Sequence, residues 1–266
     1  MLLTLDVGNS QIFCGVYDGD ELKTTFRRTS SIRASSDEFG TFFRTTLREN
    51  EVDPGQIDMA AICSVAPDAV HSLRNCFRKY FHFEPFLLQP GVKTGLRIRY
   101  RNPLEVGADK IANAIGALSR FPGRNLVIVD FGTATTLCAI TKDRDYLGGI
   151  ITPGVQISMA ALESQTARLP VVEIVRPAEV LGRSTVESIQ SGLYYGTLAT
   201  VRSLADSITM EHFAKDRPLI VGTGGFGRLF DDEDLFDEFV PELPLLGLRI
   251  AIQMSRQEMK RVVDAH

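Results

Sequence analysis

The sequence lacks long apolar runs. None of its stretches reaches the roughly 18 continuous apolar residues that a membrane-spanning helix needs. The N-terminus begins at once with a strand-like run, without the basic segment, apolar stretch and small-residue cleavage site of a secretory signal. The absence of a long apolar run excludes a membrane span.

Cysteine and histidine are scarce. The four histidines lie outside every motif that we recognise, and neither residue type shows the spacing of metal ligands. This distribution argues against a zinc site and against a histidine-based catalytic triad. We expect the cysteines to be small buried apolar residues in a reducing cytosol. They are Cys14, Cys63, Cys76 and Cys138.

Several common signatures are absent as well. No Gly-Lys pair occurs, which excludes the phosphate-binding loop of P-loop kinases. Gly222, Gly224 and Gly227 satisfy a dinucleotide-binding pattern, but too few residues follow for the required βαβ unit. Ser64 stands outside any G-x-S-x-G context, so a nucleophilic serine is not supported. The net charge of −4 argues against a general nucleic-acid binder and leaves room for a local basic pocket.

The most informative feature present is a repeat. Residues 2–10 and 126–134 are each an apolar run that ends in Asp-x-Gly and continues with small polar residues. The same separation of 124 positions relates three further features: Gly8 to Gly132, Cys14 to Cys138, and the turn 18–21 to the turn 142–145. This pattern predicts a duplicated strand-turn-strand unit in constant register.

The first half alternates strands and helices after an antiparallel start. Its predicted elements are strands 2–7, 11–17 and 22–26, a helix 37–50 capped by Ser36 or Asp37, a strand 57–64, a helix from Pro67 and a strand 86–88. That order is typical of a ribonuclease-H-like α/β unit with a mixed sheet and helices on its faces.

A basic loop and a helix complete the first half, and the second half then repeats this plan from residue 126. We predict a basic loop over 92–104, a helix from about Asp109, strands 126–129, 135–141, 146–152 and 219–221, a helix through 157–162, a helix 185–208 with Val186 in its core stripe, a solvated acidic run 231–238 and a closing helix 248–263. Two similar lobes are therefore expected, 1–120 and 121–266, with a nucleotide cleft between them and a last helix able to pack back on the first lobe.

Paired glycine turns suit a bound triphosphate. Glycines allow close backbone approach, N–H groups and hydroxyls bind phosphate oxygens, and carboxylates hold the cation that offsets their charge. The loop 222–225 is then placed against an adenosine. Asp109, in a Gly-Ala-Asp-Lys turn, is a candidate general base. From the residues alone the simpler interpretation is a carboxylate that interacts favourably with the dipole at the N-terminus of its helix.

Six strings carry a resemblance that spans nearly the whole chain. They lie at 6–10, 64–67, 107–110, 130–136, 148–154 and 222–225. In order and spacing they resemble type III pantothenate kinase, within the acetate and sugar kinase, Hsp70 and actin superfamily. The resemblance implies ATP-dependent phosphorylation of pantothenate, the first step of coenzyme A biosynthesis. It further implies a cytoplasmic homodimer that uses Mg²⁺ with ATP and a monovalent cation, K⁺ or NH₄⁺, without nucleic-acid or membrane partners.

The resemblance also implies roles for individual residues. Asp109 would be the catalytic base, and Asp130 would bind the monovalent cation. ATP would be bound by Asp6, Val7, Gly8, Asn9, Ser10, Gln11, Ile12, Phe13 and Thr133. Pantothenate would be bound by Tyr100, Gly107, Ala108, Asp109, Lys110 and Thr185. Where the family usually has Arg and often Thr, this chain has Lys110 and Ser10, and the lysine lacks the planar fork of arginine.

Two other functions fit the same fold, because a fold does not fix a function. One is a nucleotide-binding transcription accessory protein. The other is a kinase for a different small hydroxyl acceptor, such as a sugar. The acceptor-side carboxylate of Asp109 favours a kinase, since a pure switch has no need of it.

Overall fold

The computed structural model describes residues 1–30 and 34–264. The chain divides into two compact units. Unit 1 comprises Met1–Leu96, Tyr100–Arg120 and Glu242–His266, and unit 2 comprises Arg97–Arg99 and Phe121–Pro241. Within the described residues, no helix combines the length and the apolar character needed to cross a membrane.

The elements follow one another in the order of the chain. The strands are β1 Leu2–Val7, β2 Gln11–Asp18, β3 Glu21–Thr29, β4 Met59–Ser64, β5 Phe86–Leu87, β6 Arg97–Ile98, β7 Leu126–Phe131, β8 Ala134–Ile140, β9 Asp145–Pro153, β10 Leu219–Thr223 and β11 Glu238–Phe239. The α-helices are α1 Ser36–Glu49, α2 Pro67–Cys76, α3 Ala108–Arg120, α4 Val155–Gln165, α5 Thr185–His212 and α6 Leu243–Asp264.

Unit 1 is a five-stranded mixed sheet in the order β3-β2-β1-β4-β5. β1 pairs antiparallel with β2 and parallel with β4, as predicted from the alternation of elements. β1 and β4 are apolar almost throughout because helices cover both of their faces. One face packs a cluster that includes Phe39 and Phe43 from α1 and Phe77 from the π-helical turn after α2. The other face packs residues of α3 and α6.

The N-cap of α1 is one residue earlier than predicted. The Ser35 side chain accepts a hydrogen bond from Glu38 N at 3.2 Å, and Ser35 N donates to Glu38 Oε2 at 2.7 Å. The prediction of Ser36 or Asp37 was wrong because the reciprocal capping box requires a glutamate three residues after the cap, and only Ser35 satisfies that spacing.

Glycines bring α3 and α6 into close contact. A Cβ added at Gly247 would overlap the carbonyl oxygen of Ala112, and one added at Gly116 would lie 3.1 Å from Gly247 N. The two helix backbones therefore touch where side chains would hold them apart. This contact fixes α3 against α6, and Asp109 stands in the first turn of α3.

Unit 2 contains a six-stranded mixed sheet in the order β11-β10-β7-β8-β9-β6. Its first five strands repeat the strand order of unit 1, because β7, β8 and β9 pair antiparallel and β10 and β11 run parallel to β7. α5 covers one face through Tyr194, Leu198 and Val201. Val186 was predicted for the core stripe of α5, but 44% of its surface is exposed, so the stripe begins at Ile189.

The sixth strand corrects the prediction of a basic loop over 92–104. β6 pairs parallel with β9, and Arg97 binds Asp145 with Nε–Oδ1 and Nη2–Oδ2 distances of 2.9 and 2.8 Å. Arg99 Nε lies 2.6 Å from Asp145 Oδ1. The Arg97 hydrogen bond holds the pKa of Asp145 below its usual range. A strand of two residues is too short to show an alternation of apolar and polar residues. The sequence therefore shows no sign of β6, which forms by pairing with β9.

The acidic run 231–238 is not a purely solvated face. It includes the end of a 3₁₀ helix at Gly227–Glu233 and the start of β11. Asp237 Oδ2 accepts a hydrogen bond from Ile220 N at 2.7 Å. The high density of charged residues predicted an exposed segment. In the structure, β11 pairs with β10 through the backbone and so belongs to the sheet.

The register between the two repeats is not constant. Asp6 faces Phe13 in unit 1, whereas Asp130 faces Thr136 in unit 2, so the turn in unit 2 is one residue shorter. Cys14 therefore corresponds in position to Leu137, and Cys138 points to the opposite face. The predicted equivalence of Cys14 and Cys138 was wrong. In the third strand of each repeat the separation is again 124 residues. Cys14 pairs with Phe26, its counterpart Leu137 pairs with Ile150, and Phe26 and Ile150 are 124 positions apart.

Candidate functional site

The first glycine turn of unit 1 is held by the end of β3. Gly8 N donates to Gln11 O at 3.0 Å, and Ser30 N donates to Ser10 O at 2.9 Å. The Ser30 hydroxyl also donates to Gly8 O at 2.5 Å. An added Cβ at Gly8 would lie 3.1 Å from Gln11 O, which is tighter than ordinary packing. The turn is thus a fixed loop whose polar tip faces solvent.

The residues predicted to bind ATP at this turn differ in exposure. Val7 and Ile12 lie in the apolar cluster against α1 and α2, so their side chains are turned away from the tip. Phe13 is buried on the opposite face of the sheet. The exposed residues of the segment are Asn9, Ser10 and Gln11. A ligand at the tip would therefore meet backbone groups and these polar side chains.

Asp6 is held by a buried thiol on the neighbouring strand. Cys63 pairs with Asp6 in the parallel register of β1 and β4, and Cys63 Sγ lies 3.2 Å from Asp6 Oδ1. Burial raises the pKa of the Cys63 thiol, and the charges of Asp6 and Asp109 raise it further. The thiol is consequently protonated at neutral pH and donates to the carboxylate of Asp6.

Asp109 stands in the first turn of α3, close enough to Cys63 for its charge to act on the thiol. Its Oδ2 lies 3.2 Å from Lys110 Nζ, and the two side chains are only 24% and 19% exposed. Its Oδ1 is buried and has no hydrogen-bond partner among the described residues. A Cβ at Gly107 would overlap that Oδ1, so glycine leaves the space that the carboxylate fills. Unit 1 thus brings Asp6 and Asp109 to one buried thiol.

Three glycine segments of unit 2 meet around Asp130. Gly224, at φ +91°, follows β10, and an added Cβ there would lie 2.5 Å from Asp130 Oδ1. A Cβ at Gly154, before α4, would overlap the carbonyl oxygen of Thr133 and lie 2.7 Å from that of Gly132. The backbone N–H of Phe226 donates to Phe131 O at 3.1 Å. Three strings that are far apart in the sequence therefore form one cluster, with Asp130 and Thr133 half-buried within it.

The remaining predicted residues lie elsewhere. Thr185 begins α5 and lines a cavity of about 1080 Å³ between α4 and α5, together with residues such as Ser158 and Arg183. None of the lining residues belongs to the cluster around Asp130. Tyr100 is half-buried two residues beyond β6, and Ala108 opens α3 beside Asp109.

Comparison with known proteins shows the family. Residues 2–207 match the family model for type III pantothenate kinase. A protein of that name from Legionella pneumophila (strain Corby) is 54% identical over 255 residues, which cover 96% of this chain and 99% of the relative. One from Elusimicrobium minutum (strain Pei191) is 47% identical over 256 residues, with 96% and 99% covered.

This chain belongs to the type III pantothenate kinase family.

Solved structures show the fold that the family shares with more distant proteins. A Baf family transcriptional activator from Campylobacter jejuni is 18% identical, with a TM-score of 0.60 over 96% of this chain and 99% of that one. The activator of 2-hydroxyisocaproyl-CoA dehydratase from Clostridium difficile, with bound ADPNP, is 11% identical, with a TM-score of 0.55 over 98% and 97%. With the two mixed sheets, these likenesses confirm the predicted fold class, a duplicated ribonuclease-H-like α/β fold.

The role of Cys63 was not predicted from the sequence. The residue was assigned only as a buried apolar residue, and it is indeed fully buried, as the other three cysteines are buried. What was not foreseen is its hydrogen bond to Asp6. The available signal was that Asp6 and Cys63 each precede the last residue of a buried strand, which places them side by side if the two strands pair in register.

Proposed function

We propose that this chain transfers the γ-phosphoryl group of ATP to the primary hydroxyl of pantothenate, forming 4′-phosphopantothenate in the first step of coenzyme A biosynthesis. Membership of the type III pantothenate kinase family supports this reaction. The observation that carries it is the Oδ1 atom of Asp109, which is buried and unpaired in the described structure. A buried carboxylate oxygen without a donor is suited to receive one from a ligand.

Asp109 acts as the base in this reaction. Its Oδ1 accepts the hydroxyl proton while the pantothenate oxygen bonds to the γ-phosphorus, and the bond from that phosphorus to the β–γ bridging oxygen of ATP breaks to release ADP. The ammonium of Lys110, 3.2 Å from Oδ2, orients the carboxylate. Phosphoryl transfer depends mainly on positioning and charge neutralisation, so the base contributes a part of the rate.

ATP is bound by residues of both repeats. In unit 1 the ligands are the backbone of residues 6–13 and the exposed side chains of that turn, which Ser30 holds in place. In unit 2 the ligand is Thr133. Mg²⁺ bound with ATP would supply the positive charge that offsets the charge developing on the phosphates.

Asp130 would hold a monovalent cation, K⁺ or NH₄⁺. Hard cations take carboxylate, carbonyl and hydroxyl oxygens, and the cluster offers these types. Thr223 lies beside Asp130 in the register of β7 and β10, and its Oγ1 is buried without a hydrogen-bond partner among the described residues. The carbonyl oxygens of Gly132 and Thr133 both face Gly154. These donors fit such an ion.

In unit 1 the proposed pantothenate ligands are the turn before α3 and Tyr100. In unit 2 the proposed ligand is Thr185, which lines the cavity between α4 and α5. Lys110 stands where relatives usually carry arginine and is already engaged with Asp109. We therefore assign the acceptor position to the turn itself, where Gly107 leaves room for the Asp109 carboxylate.

The test is an acceptor profile with γ-labelled ATP. Purified protein, Mg²⁺ and K⁺ are incubated with pantothenate or with a panel of sugars, and the labelled product is identified by mass. Phosphopantothenate that forms faster with K⁺ than with Na⁺ is the expected result. Label on a sugar instead, or on no acceptor at all, contradicts the proposal and favours another kinase or a nucleotide-binding accessory protein.

We further propose a cytoplasmic homodimer that uses the α4–α5 face of unit 2. Large apolar side chains are exposed there at Ile157, Val171, Val180, Leu181 and Val186. Exposed apolar patches of this kind mark association surfaces. The four buried free cysteines suit a reducing compartment.

The variant Leu181→Asp is expected to convert the dimer to a monomer. This residue is 81% exposed, so the change leaves the core of unit 2 intact while placing a charge in the association surface. Mass by light scattering after gel filtration measures the effect. Met210→Asp is the matched control, since Met210 is 70% exposed near the other end of α5. Unchanged mass for Leu181→Asp, or equal dissociation of both variants, contradicts this interface.

Replacing Cys63 by alanine is expected to raise the KM for ATP by about three- to tenfold, because the thiol is a weak donor and its hydrogen bond contributes about 1 kcal/mol. Cys63→Ser retains a donor and should stay closer to the wild type. Cys14→Ala is the control, as Cys14 is equally buried but faces the α1–α2 cluster. If Cys14→Ala and Cys63→Ala raise the KM alike, the effect is one of packing and not of the bond to Asp6.

A further inference from the structure

A row of four side chains crosses the sheet of unit 1 at the level of Asp6. Asp6 pairs with Cys63 on one side and with Phe13 on the other, and Phe13 in turn pairs with Arg27 on β3. Residues paired across neighbouring strands point to the same face of a sheet. The row therefore runs Cys63, Asp6, Phe13, Arg27 on the face that packs α3 and α6.

Arg27 ends this row as a cation that forms no ion pair with the residues that the structure describes. Its guanidinium carbon lies 3.7 Å from the centroid of the Phe13 ring, a stacking contact that orients the planar group. No carboxylate within the described residues comes within salt-bridge distance of it, and its side chain is exposed. Partial burial lowers the pKa of Arg27, and the carboxylate of Asp6 opposes that shift through space.

Other arginines of unit 1 are used differently. Arg249 pairs with Asp20, and Arg74 pairs with Glu84 at 2.6 Å. Arg28, the next residue on β3, points to the opposite face and lies 4.6 Å from the Phe39 ring centroid. Arg27 differs from these arginines because its stacked guanidinium lies on the Asp6 side of the sheet and has no ion-pair partner among the described residues.

The position of Arg27 relates it to the glycine turn. Ser30, three residues further along the same chain segment, donates to Ser10 O and Gly8 O. The segment that presents Arg27 is therefore the one that anchors residues 8–10. A guanidinium fork donates to phosphate oxygens bidentately, and stacking on an aromatic ring reduces the entropy lost when it binds.

We propose that Arg27 is an ATP-binding residue whose guanidinium, stacked on Phe13 beside Asp6, donates hydrogen bonds to a phosphate group of ATP. This inference rests on the proposed function for the identity of the nucleotide. Arg27 lies at the opposite end of the row from Cys63, which is the end that Asp109 approaches. It serves the nucleotide and not the pantothenate acceptor.

Equilibrium binding of Mg·ATP to the whole protein, measured by calorimetry without pantothenate, tests the proposal. Arg27→Met keeps an apolar cover over Phe13 and removes the charge, and it should weaken ATP binding by about tenfold or more. Binding of adenosine should stay unchanged. Arg27→Lys keeps the charge without the fork and should fall between the two. Arg28→Met is the matched control, because the same substitution removes a stacked arginine from the opposite face.

Several results would overturn the proposal. One is an ATP affinity of Arg27→Met within about twofold of the wild type, with an unchanged melting temperature. Another is an equal loss of ATP affinity in Arg28→Met, or a loss of adenosine affinity equal to that of ATP. Should Arg27→Met fail to fold, Arg27→Lys decides the question, since wild-type affinity in a folded lysine variant also rejects a bidentate role.

The pantothenate assay on the same preparations separates this inference from the proposed function. If the wild-type protein makes phosphopantothenate and Arg27→Met binds ATP normally, the role of Arg27 is rejected and the proposed function stands. Wild-type protein that binds ATP through Arg27 but labels no pantothenate supports the role of Arg27 and rejects the proposed acceptor. Wild-type protein that binds no ATP rejects both.

Discussion

Asp109→Asn is expected to lower kcat for pantothenate phosphorylation by about 100- to 10,000-fold, the range of a general base, while ATP affinity stays within about twofold. The amide keeps the size of the side chain in the space beside Gly107 but cannot accept the hydroxyl proton. The Oδ1 atom of the wild-type carboxylate is already buried and unpaired, so the loss arises in the transition state and not in folding. Single-turnover rates and ATP binding measure the two quantities.

A matched control separates catalysis from the helix dipole. Asp68 stands in the first turn of α2 and is exposed, so Asp68→Asn removes the same charge from an equivalent helix position. Both variants should lose about 0.3–1 kcal/mol of stability if the dipole is the whole role of Asp109. A kcat for Asp109→Asn comparable to that of Asp68→Asn would falsify the assignment of Asp109 as base.

Gly224→Ala is expected to lower kcat/KM by about 100-fold and the free energy of unfolding by about 1–3 kcal/mol. The residue has φ +91°, and a Cβ would lie 2.5 Å from Asp130 Oδ1 and from Phe131 N. Alanine therefore adds backbone strain and also pushes against the carboxylate proposed to hold the monovalent cation. The dependence of the rate on K⁺ concentration should shift to higher concentrations.

Gly91→Ala isolates the strain contribution. Gly91 has nearly the same backbone angle, φ +94°, with nothing within 4 Å of an added Cβ. It should lose a similar amount of stability and keep both activity and K⁺ dependence. Displacement of Asp130 is excluded as the cause of lost activity if Gly91→Ala and Gly224→Ala lose activity to the same extent. It is also excluded if both variants keep full activity.

Much of the fold could be predicted because its signals are local. The hairpin between β2 and β3 follows from the Asp18-Gly19 turn between apolar runs, and α1 follows from apolar residues at helical spacing with polar residues between them. The rule that sequential strands pack as neighbours gives the pairs β1–β2, β2–β3 and β4–β5 of unit 1, but not the pairing of β4 with β1. The glycine strings identified the segments that meet around Asp130, although not the contacts between them.

The errors arose where distant segments decide the structure. β6 exists because Arg97 and Arg99 meet Asp145, and β11 exists because β10 offers it an edge. The two cysteines at equal spacing face opposite sides because one turn is a residue shorter. A one-residue difference in a strand reverses every side chain that follows, and constant spacing in a sequence cannot reveal it.

The sequence by itself determined the duplicated α/β plan, the glycine turns and the family, since each depends on residue order over short windows. Only the tertiary structure decided which side chains meet. The thiol of Cys63 reaches Asp6 from a strand more than fifty residues away, and the guanidinium of Arg27 lies over Phe13 through the pairing of β2 and β3. Such contacts depend on strand register and on side-chain direction, which arise when the sheet forms and which no single segment encodes alone.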